Sequence, residues 1–222
     1  MISAMSDSVS NACAGPFGSF YSFYIERPWL MQRIGHLVWG IDSSVLYKSM
    51  ESIGEVAPGA TILDVPCGGG VAFRALDPDQ DVRYVAADLD PKMLRRAERR
   101  ARKRSLHQVE LAVADMTALP FADAGADLFL SYSGLHMIDE PEQAVREIAR
   151  CLKPGGRLVG TSFFSGERRR ADRLFGLGAR SGHALPPRRA DLLGWLKSAG
   201  LDDPAVGSEL GFAAFEARKP AP

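Results

Sequence analysis

The chain has 222 residues, enough for one domain with a full hydrophobic core and short of two ordinary ones. Apolar residues make up 46% and charged residues 24%, a globular balance, and Lys plus Arg equals Asp plus Glu at 27 each. A zero net charge argues against holding nucleic acid by bulk electrostatics. No apolar run nears about 18 residues, which excludes a transmembrane helix. The start, MISAMSDSVSNACAGP, lacks the basic and apolar parts of a secretion signal. Cys13, Cys67 and Cys151 are too far apart to make a disulfide framework or a metal site. A cytoplasmic single domain is expected.

Residues 1–16, rich in Ser, Ala and Asn, read as a disordered tail. Residues 17–57 read as an aromatic helical segment that covers the site, with Phe17, Phe20, Tyr21, Phe23, Tyr24, Trp29, Trp39 and Tyr47. Ala57-Pro58-Gly59 marks a turn. From there strand-like and helix-like segments alternate. Thr61–Val65 predicts a strand ended by Pro66 and a glycine cluster, and Val82–Ala87 a second. Asp90-Pro91 supplies an N-cap with proline at the first helical position, for a helix to about Arg104. Its inner stripe is Met93, Leu94, Ala97 and Ala101. Val109–Ala114 and Ala126–Ser131 predict strands three and four. A helix capped by Asp139 opens at Pro141 and stops at Pro154-Gly155-Gly156, before a fifth strand at Arg157–Ser162. An insert at about 163–187 and a helix at about Arg188–Ala199 precede a final antiparallel pair, Pro204–Ser208 and Gly211–Ala217. This alternation predicts right-handed crossovers and a mostly parallel sheet with helices on both faces. Residues 58–222 form the predicted domain.

Ligands of such a sheet bind beyond the carboxyl ends of its strands. The first strand ends in Asp64-Val65-Pro66-Cys67-Gly68-Gly69-Gly70, where glycine allows close main-chain approach. A dinucleotide fingerprint needs a further glycine where Phe73 stands, so the pattern fails for a nicotinamide enzyme. Asp88 ends the second strand, where a carboxylate accepts hydrogen bonds from ribose hydroxyls. Asp115 follows the third and can face an adenine amino group. Three carboxylates would repel a pyrophosphate but suit a cationic nucleoside.

The segments ILDVPCGGG (62–70), VAADLDPKML (85–94), LAVADMTALPFADAGADLFLS (111–131) and IARCLKPGGRLVGTS (148–162) carry a family resemblance. Over residues 58–162 the chain resembles the class I S-adenosylmethionine-dependent methyltransferases, in particular the small-molecule group that includes quinone-biosynthesis enzymes. Asp64, Gly68 and Gly70 match the first motif, while Pro66 replaces its first glycine. The resemblance implies a Rossmann-like seven-stranded sheet with the last strand antiparallel, and S-adenosylmethionine as cofactor. It implies that Asp88 holds the ribose and that Leu89 packs on the adenine. It implies further that Asp115 and Met116 meet the adenine edge, that Gly68 and Gly70 admit the methionine moiety, and that Ser131 contacts it.

Methyl transfer needs a base only where the acceptor must lose a proton. His136, in the loop after strand four, is the candidate base or else a packing residue. Tyr24, Trp39 and His183 are candidate acceptor-site residues, with simple core as the alternative for the aromatics. His36 and His107 have no chemical context. Arg95–Arg104 reads as a solvated basic face or, with lower weight, as an anionic-substrate or membrane-surface contact. The expected function is methyl transfer to a small or lipid-like acceptor, or cofactor binding by a catalytically silent regulator. Nucleic acid and integral membrane contact are not expected, and a homodimer is left open.

Overall fold

The computed structural model describes residues 27–179 and 185–222. Seven strands form one sheet in the order β3-β2-β1-β4-β5-β7-β6. They are β1 (Ala60–Asp64), β2 (Val82–Asp88), β3 (Val109–Val113), β4 (Ala126–Tyr132), β5 (Leu152–Phe163), β6 (Asp202–Val206) and β7 (Phe212–Arg218). The first five run parallel, and β7 runs antiparallel to both β5 and β6. Strand order reverses between β1 and β4, so their carboxyl ends border the crevice where such sheets bind ligands.

The helices are α1 (Pro28–Ile34), α2 (Ser44–Ser49), α3 (Pro91–Lys103), α4 (Pro141–Cys151), α5 (Arg169–Ala179) and α6 (Arg189–Ser198). A π-helical turn, Gly35–Trp39, follows α1, and 3₁₀ turns occupy Met50–Ile53 and Val71–Ala75. Period-two alternation sends the strands' side chains to two cores. Ile62, Tyr84, Leu130 and Val159 pack with Leu46, Met50, Ile53 and Ala97. Leu63, Val85, Phe129 and Leu158 pack on the other face with Val145, Ile148, Leu192 and Leu196. Residues 41–53 therefore belong to the body of the domain. Among the described residues of the aromatic segment, Trp39 on the π-helical turn meets Phe163 at the end of β5.

Local signals explain most boundaries. Asp90 caps α3, its Oδ1 accepting the Lys92 N–H at 2.7 Å, and Met93, Ala97 and Ala101 are buried on one stripe. Three boundaries differ from the sequence reading. The N-cap position of α4 is Glu140, with no side-chain cap, so Asp139 does not serve there. Strand β5 begins at Leu152, because Leu152 pairs with Ala126 and the Gly155-Gly156 step lies inside the extended segment. Glycine is needed for that step: Gly155 has φ +78°, and a Cβ on Gly156 would stand 3.0 Å from the Ala126 carbonyl oxygen. The last strands shift by one or two residues, with an irregularity between Asp202 and Ala205.

Gly160, in mid-β5, leaves the space that the Phe215 ring fills from β7; a Cβ there would strike Phe215 Cζ and the Ser131 carbonyl oxygen. Gly160→Ala is expected to cost about 1–3 kcal/mol through overpacking. A lowered urea midpoint with unchanged slope would show it, whereas unchanged stability would mean the β5–β7 contact is loose.

Candidate active site

The parallel register carries the sequence-predicted acids to one edge of the sheet. Asp64 pairs with Ala86 and Leu130, and Asp88 pairs with Val113. Asp64 is 1% exposed and Asp88 is 8% exposed. The loop between β1 and the 3₁₀ turn is fastened to both neighbouring strands. The Val65 N–H donates to Leu130 O at 2.9 Å, and the Cys67 N–H donates to Ala87 O at 2.8 Å. Asp88 completes the hold: its Oδ2 accepts the Gly68 N–H at 2.8 Å and its Oδ1 the Asp90 N–H at 2.9 Å. Each of those oxygens keeps a second lone pair for a ligand hydroxyl. Burial pushes the Asp88 carboxyl up, and the backbone N–H donors of Asp90 and Gly68 oppose the shift.

Asp64 is the more constrained acid. Its Oδ2 accepts the buried Tyr84 hydroxyl at 2.8 Å, while its Oδ1 is buried with no partner. Burial pushes its pKa up to about 7, the Tyr84 hydroxyl opposing and the Asp88 charge reinforcing the shift. Tyr84 stood in the sequence only as a strand residue; nothing in its spacing marked it as the partner of Asp64.

Gly68 has φ +54° and open space where a Cβ would lie. Gly70 has φ +75°, and a Cβ there would come within 2.5 Å of the Phe73 ring. The first glycine therefore serves an open cleft and the second serves close packing. The Pro66 ring meets the loop after β4, since a Cβ on Gly134 would collide with Pro66 Cδ and stand 3.1 Å from Ser131 Oγ. Gly134 is thus the residue that accommodates proline in place of glycine at 66. Ser131 is fully buried and its Oγ has no partner.

The adenine side is more open. Leu89 is 38% exposed. Asp115 is exposed, and its Oδ1 accepts both the N–H and the hydroxyl of Thr117, at 2.8 and 2.7 Å. Met116 turns its side chain into the core beside Ala114 and Leu119. The buried, unpartnered Asp64 Oδ1 and Ser131 Oγ, the open cleft at Gly68 and the acceptor-only Asp88 all suit a cationic ligand with donor hydroxyls. These residues fit S-adenosylmethionine. A hollow of about 450 Å³ lined by Gly54, Asp77, Asp79 and Asp81 lies instead beside the amino ends of β1 and β2, away from this edge.

His136 is 6% exposed. It sits among rings: Phe163 at 5.0 Å and Phe175 at 6.2 Å, both edge-on. Trp39 joins them, 5.4 Å from Phe163 and 5.2 Å from Phe175, and Phe212 lies 4.8 Å from Phe163. The cluster unites the π-helical turn, α5, β7 and the end of β5. Phe163, Phe175 and Phe212 were not singled out in the sequence, because they come from three elements distant along the chain. His136 Nδ1 accepts the Phe163 N–H at 3.4 Å, which puts the ring proton on Nε2. Burial lowers the His136 pKa to about 3. Tyr24 and His183 lie outside the described residues.

A carboxyl whose folded pKa is raised stabilises the fold most below its unfolded pKa, and that contribution is lost as pH rises through about 7. Asp64→Asn is therefore expected to flatten the decline of stability between roughly pH 4 and 7, by on the order of a few kcal/mol. Urea unfolding midpoints across that range test this. Parallel pH profiles for the two proteins would remove Asp64 as the titrating group.

Residues 63–160 match the family described as Methyltransferase domain. A demethylmenaquinone methyltransferase of Renibacterium salmoninarum is 35% identical over 114 residues, covering 51% of this chain and 45% of that protein. The demethylmenaquinone methyltransferase of Thermus thermophilus is 35% identical over 144 residues, 64% of each chain. The chain spans about half the length of the curated relatives it first matches. Phosphoethanolamine N-methyltransferase 2 of Haemonchus contortus, solved with S-adenosylhomocysteine, shares the fold with a TM-score of 0.69. It is 18% identical, over 80% of this chain and 53% of that one. With their strand order, acid-tipped strands and glycine loop, residues 63–160 are a methyltransferase domain of the class I S-adenosylmethionine-dependent fold.

Proposed function

We propose that the chain transfers a methyl group from S-adenosylmethionine to a small or lipid-like acceptor. The observation that carries this reading is the adjacency of two unlike surfaces at one sheet edge. An acid-lined glycine cleft lies beyond β1 and β2, and an aromatic cluster built on His136 and Phe163 lies beyond β4 and β5. Bound S-adenosylmethionine supplies a methyl group on a sulfonium, a reaction centre whose leaving group is already good. Under this reading Asp88 accepts the ribose hydroxyls through the lone pairs that Gly68 and Asp90 leave free. Asp64 and Ser131 offer their unpartnered oxygens to the methionine part, Leu89 covers the adenine, and Asp115 takes its edge. Met116 would reach the adenine edge through its backbone, since its side chain is in the core.

The protein's contribution is alignment, which reaches about 7–11 kcal/mol in well-oriented systems. Trp39, Phe163 and Phe175 would wall a flat or apolar acceptor and keep water from the methyl. The quinone substrates named for the relatives are of that type. With its proton on Nε2, His136 can donate to an acceptor oxygen, so we assign it to orienting the acceptor rather than to taking its proton. Its low pKa supports this, because a group that resists protonation makes a weak base near neutral pH. A cytoplasmic setting accompanies the reading, supported by Cys67 and Cys151 being free and buried thiols.

S-adenosylmethionine at 100 times its dissociation constant is expected to add about 2.7 kcal/mol, roughly 5–10 °C of melting temperature for a domain of this size. NAD should add none; the reverse pattern would reject the cofactor. Asp88→Ala should weaken cofactor binding about tenfold or more in calorimetry, through loss of charge-assisted hydrogen bonds. Equal affinity would take Asp88 away from the ribose.

With a quinone-type acceptor, His136→Gln keeps a donor and is expected to keep turnover within about threefold, while His136→Phe should not. A loss beyond about 100-fold in the glutamine variant would instead mark a general base. Cofactor binding without turnover on any acceptor would identify a silent regulator.

A further inference from the structure

Five of the eleven large apolar side chains exposed among the described residues lie on α1, the π-helical turn and α5, beside the aromatic cluster. The π-helical turn packs against α5, and both turn large apolar side chains to solvent. Leu37 is 76% exposed, Trp29 62% and Leu177 58%, with Val38 and Leu174 also exposed. Single exposed apolar residues are ordinary, but five on two touching elements and the helix before them form a patch, and patches mark contacts. On α5, Arg170, Arg173, Leu174 and Leu177 recur at helical spacing on the exposed side, while Ala171 is buried and the Phe175 ring joins the cluster.

Among the described residues of these elements, basic side chains outnumber acidic ones. Residues 27–39 contain Arg27 and Arg33 and no acid. Helix α5 contains Arg169, Arg170 and Arg173 against the single Asp172, and that carboxylate accepts the Gly166 N–H. Arg170 lies over Gly40, at the end of the π-helical turn, joining the basic residues of one element to the apolar ones of the other. Within a chain of zero net charge this is a local cationic rim around an apolar centre. No helix among the described residues is long and apolar enough to cross a membrane, so the patch can enter a bilayer only from the side.

We infer that the face formed by α1, the π-helical turn and α5 docks on an anionic lipid bilayer. Leu37, Trp29 and Leu177 enter the boundary between headgroups and acyl chains, and Arg33, Arg170 and Arg173 meet lipid phosphates. Amphipathic surface helices bind membranes this way, by buried apolar area plus attraction to anionic headgroups. The other side of the same elements holds Trp39 and Phe175, which belong to the His136 cluster. A lipid-like acceptor could thus pass from the bilayer to the cluster without crossing water. The docking itself does not need the methyl-transfer reading.

Co-sedimentation of the full chain with vesicles of phosphatidylcholine, alone or mixed with phosphatidylglycerol, tests the inference. Binding is expected to the anionic vesicles, to weaken with salt and to shift tryptophan emission to the blue. Arg170→Gln and Arg173→Gln should each reduce partitioning about fivefold, and Leu37→Glu should abolish it while the melting temperature holds. Absence of binding to either vesicle, or equal binding to both, would overturn the inference. So would self-association in sedimentation that Leu37→Glu dissolves, since the face would then pair with a second copy. Cofactor calorimetry on the same samples separates a failure of docking from a failure of the proposed activity.

Discussion

Strand β1 has hydrogen-bonded neighbours on both sides and packed side chains on both faces, so its last residue is a carboxyl group shut away from water. Asp64 survives there because the Tyr84 hydroxyl of the neighbouring strand donates to it and because burial keeps its proton in place to about pH 7. One oxygen remains without a partner. A buried polar atom left unpaired costs on the order of 1–3 kcal/mol, which a ligand able to donate to it would offset. The rest of the site is arranged around that strand tip.

The neighbouring loops illustrate how the tip is held open. Asp88 spends one lone pair of each oxygen on the chain itself, through Gly68 and Asp90. The glycine loop therefore keeps its shape while the acid remains able to accept more. On the other side of β1, Pro66 and Gly134 interlock, tying the glycine loop to the loop that carries His136. The glycine loop and the aromatic cluster are in this way joined at one edge of the sheet.

Not every candidate stands in the same relation to the cleft. Asp64, Asp88, Gly68 and Ser131 gather at the reversal of strand order. Asp115 is partly engaged by Thr117, and the Met116 side chain is in the core, so the third strand contributes a looser wall than the first two. Strand β3 is an edge strand with Leu111 and Val113 exposed, and an edge offers less to fasten its loop.

The strand alternation, the helix starts at Pro91 and Pro141, the terminal antiparallel pair and the acids at the strand tips were all legible along the chain. Each depends on periodicity, capping or residue order, which are local properties. The beginning of β5 at Leu152 was not, because a Pro-Gly-Gly step signals a turn unless a neighbouring strand pairs with it. Nor were the Tyr84–Asp64 bond, the Pro66–Gly134 contact or the ring cluster of Trp39, Phe163, Phe175 and Phe212. Those arise only when strands are laid side by side and crossovers return distant segments to one edge. The amino-acid order by itself determined the architecture and the kind of ligand, because apolar spacing and acid placement are written residue by residue. Which groups are buried, neutral or still unpaired was decided by tertiary packing, because desolvation and hydrogen-bond partnership belong to neighbours in space.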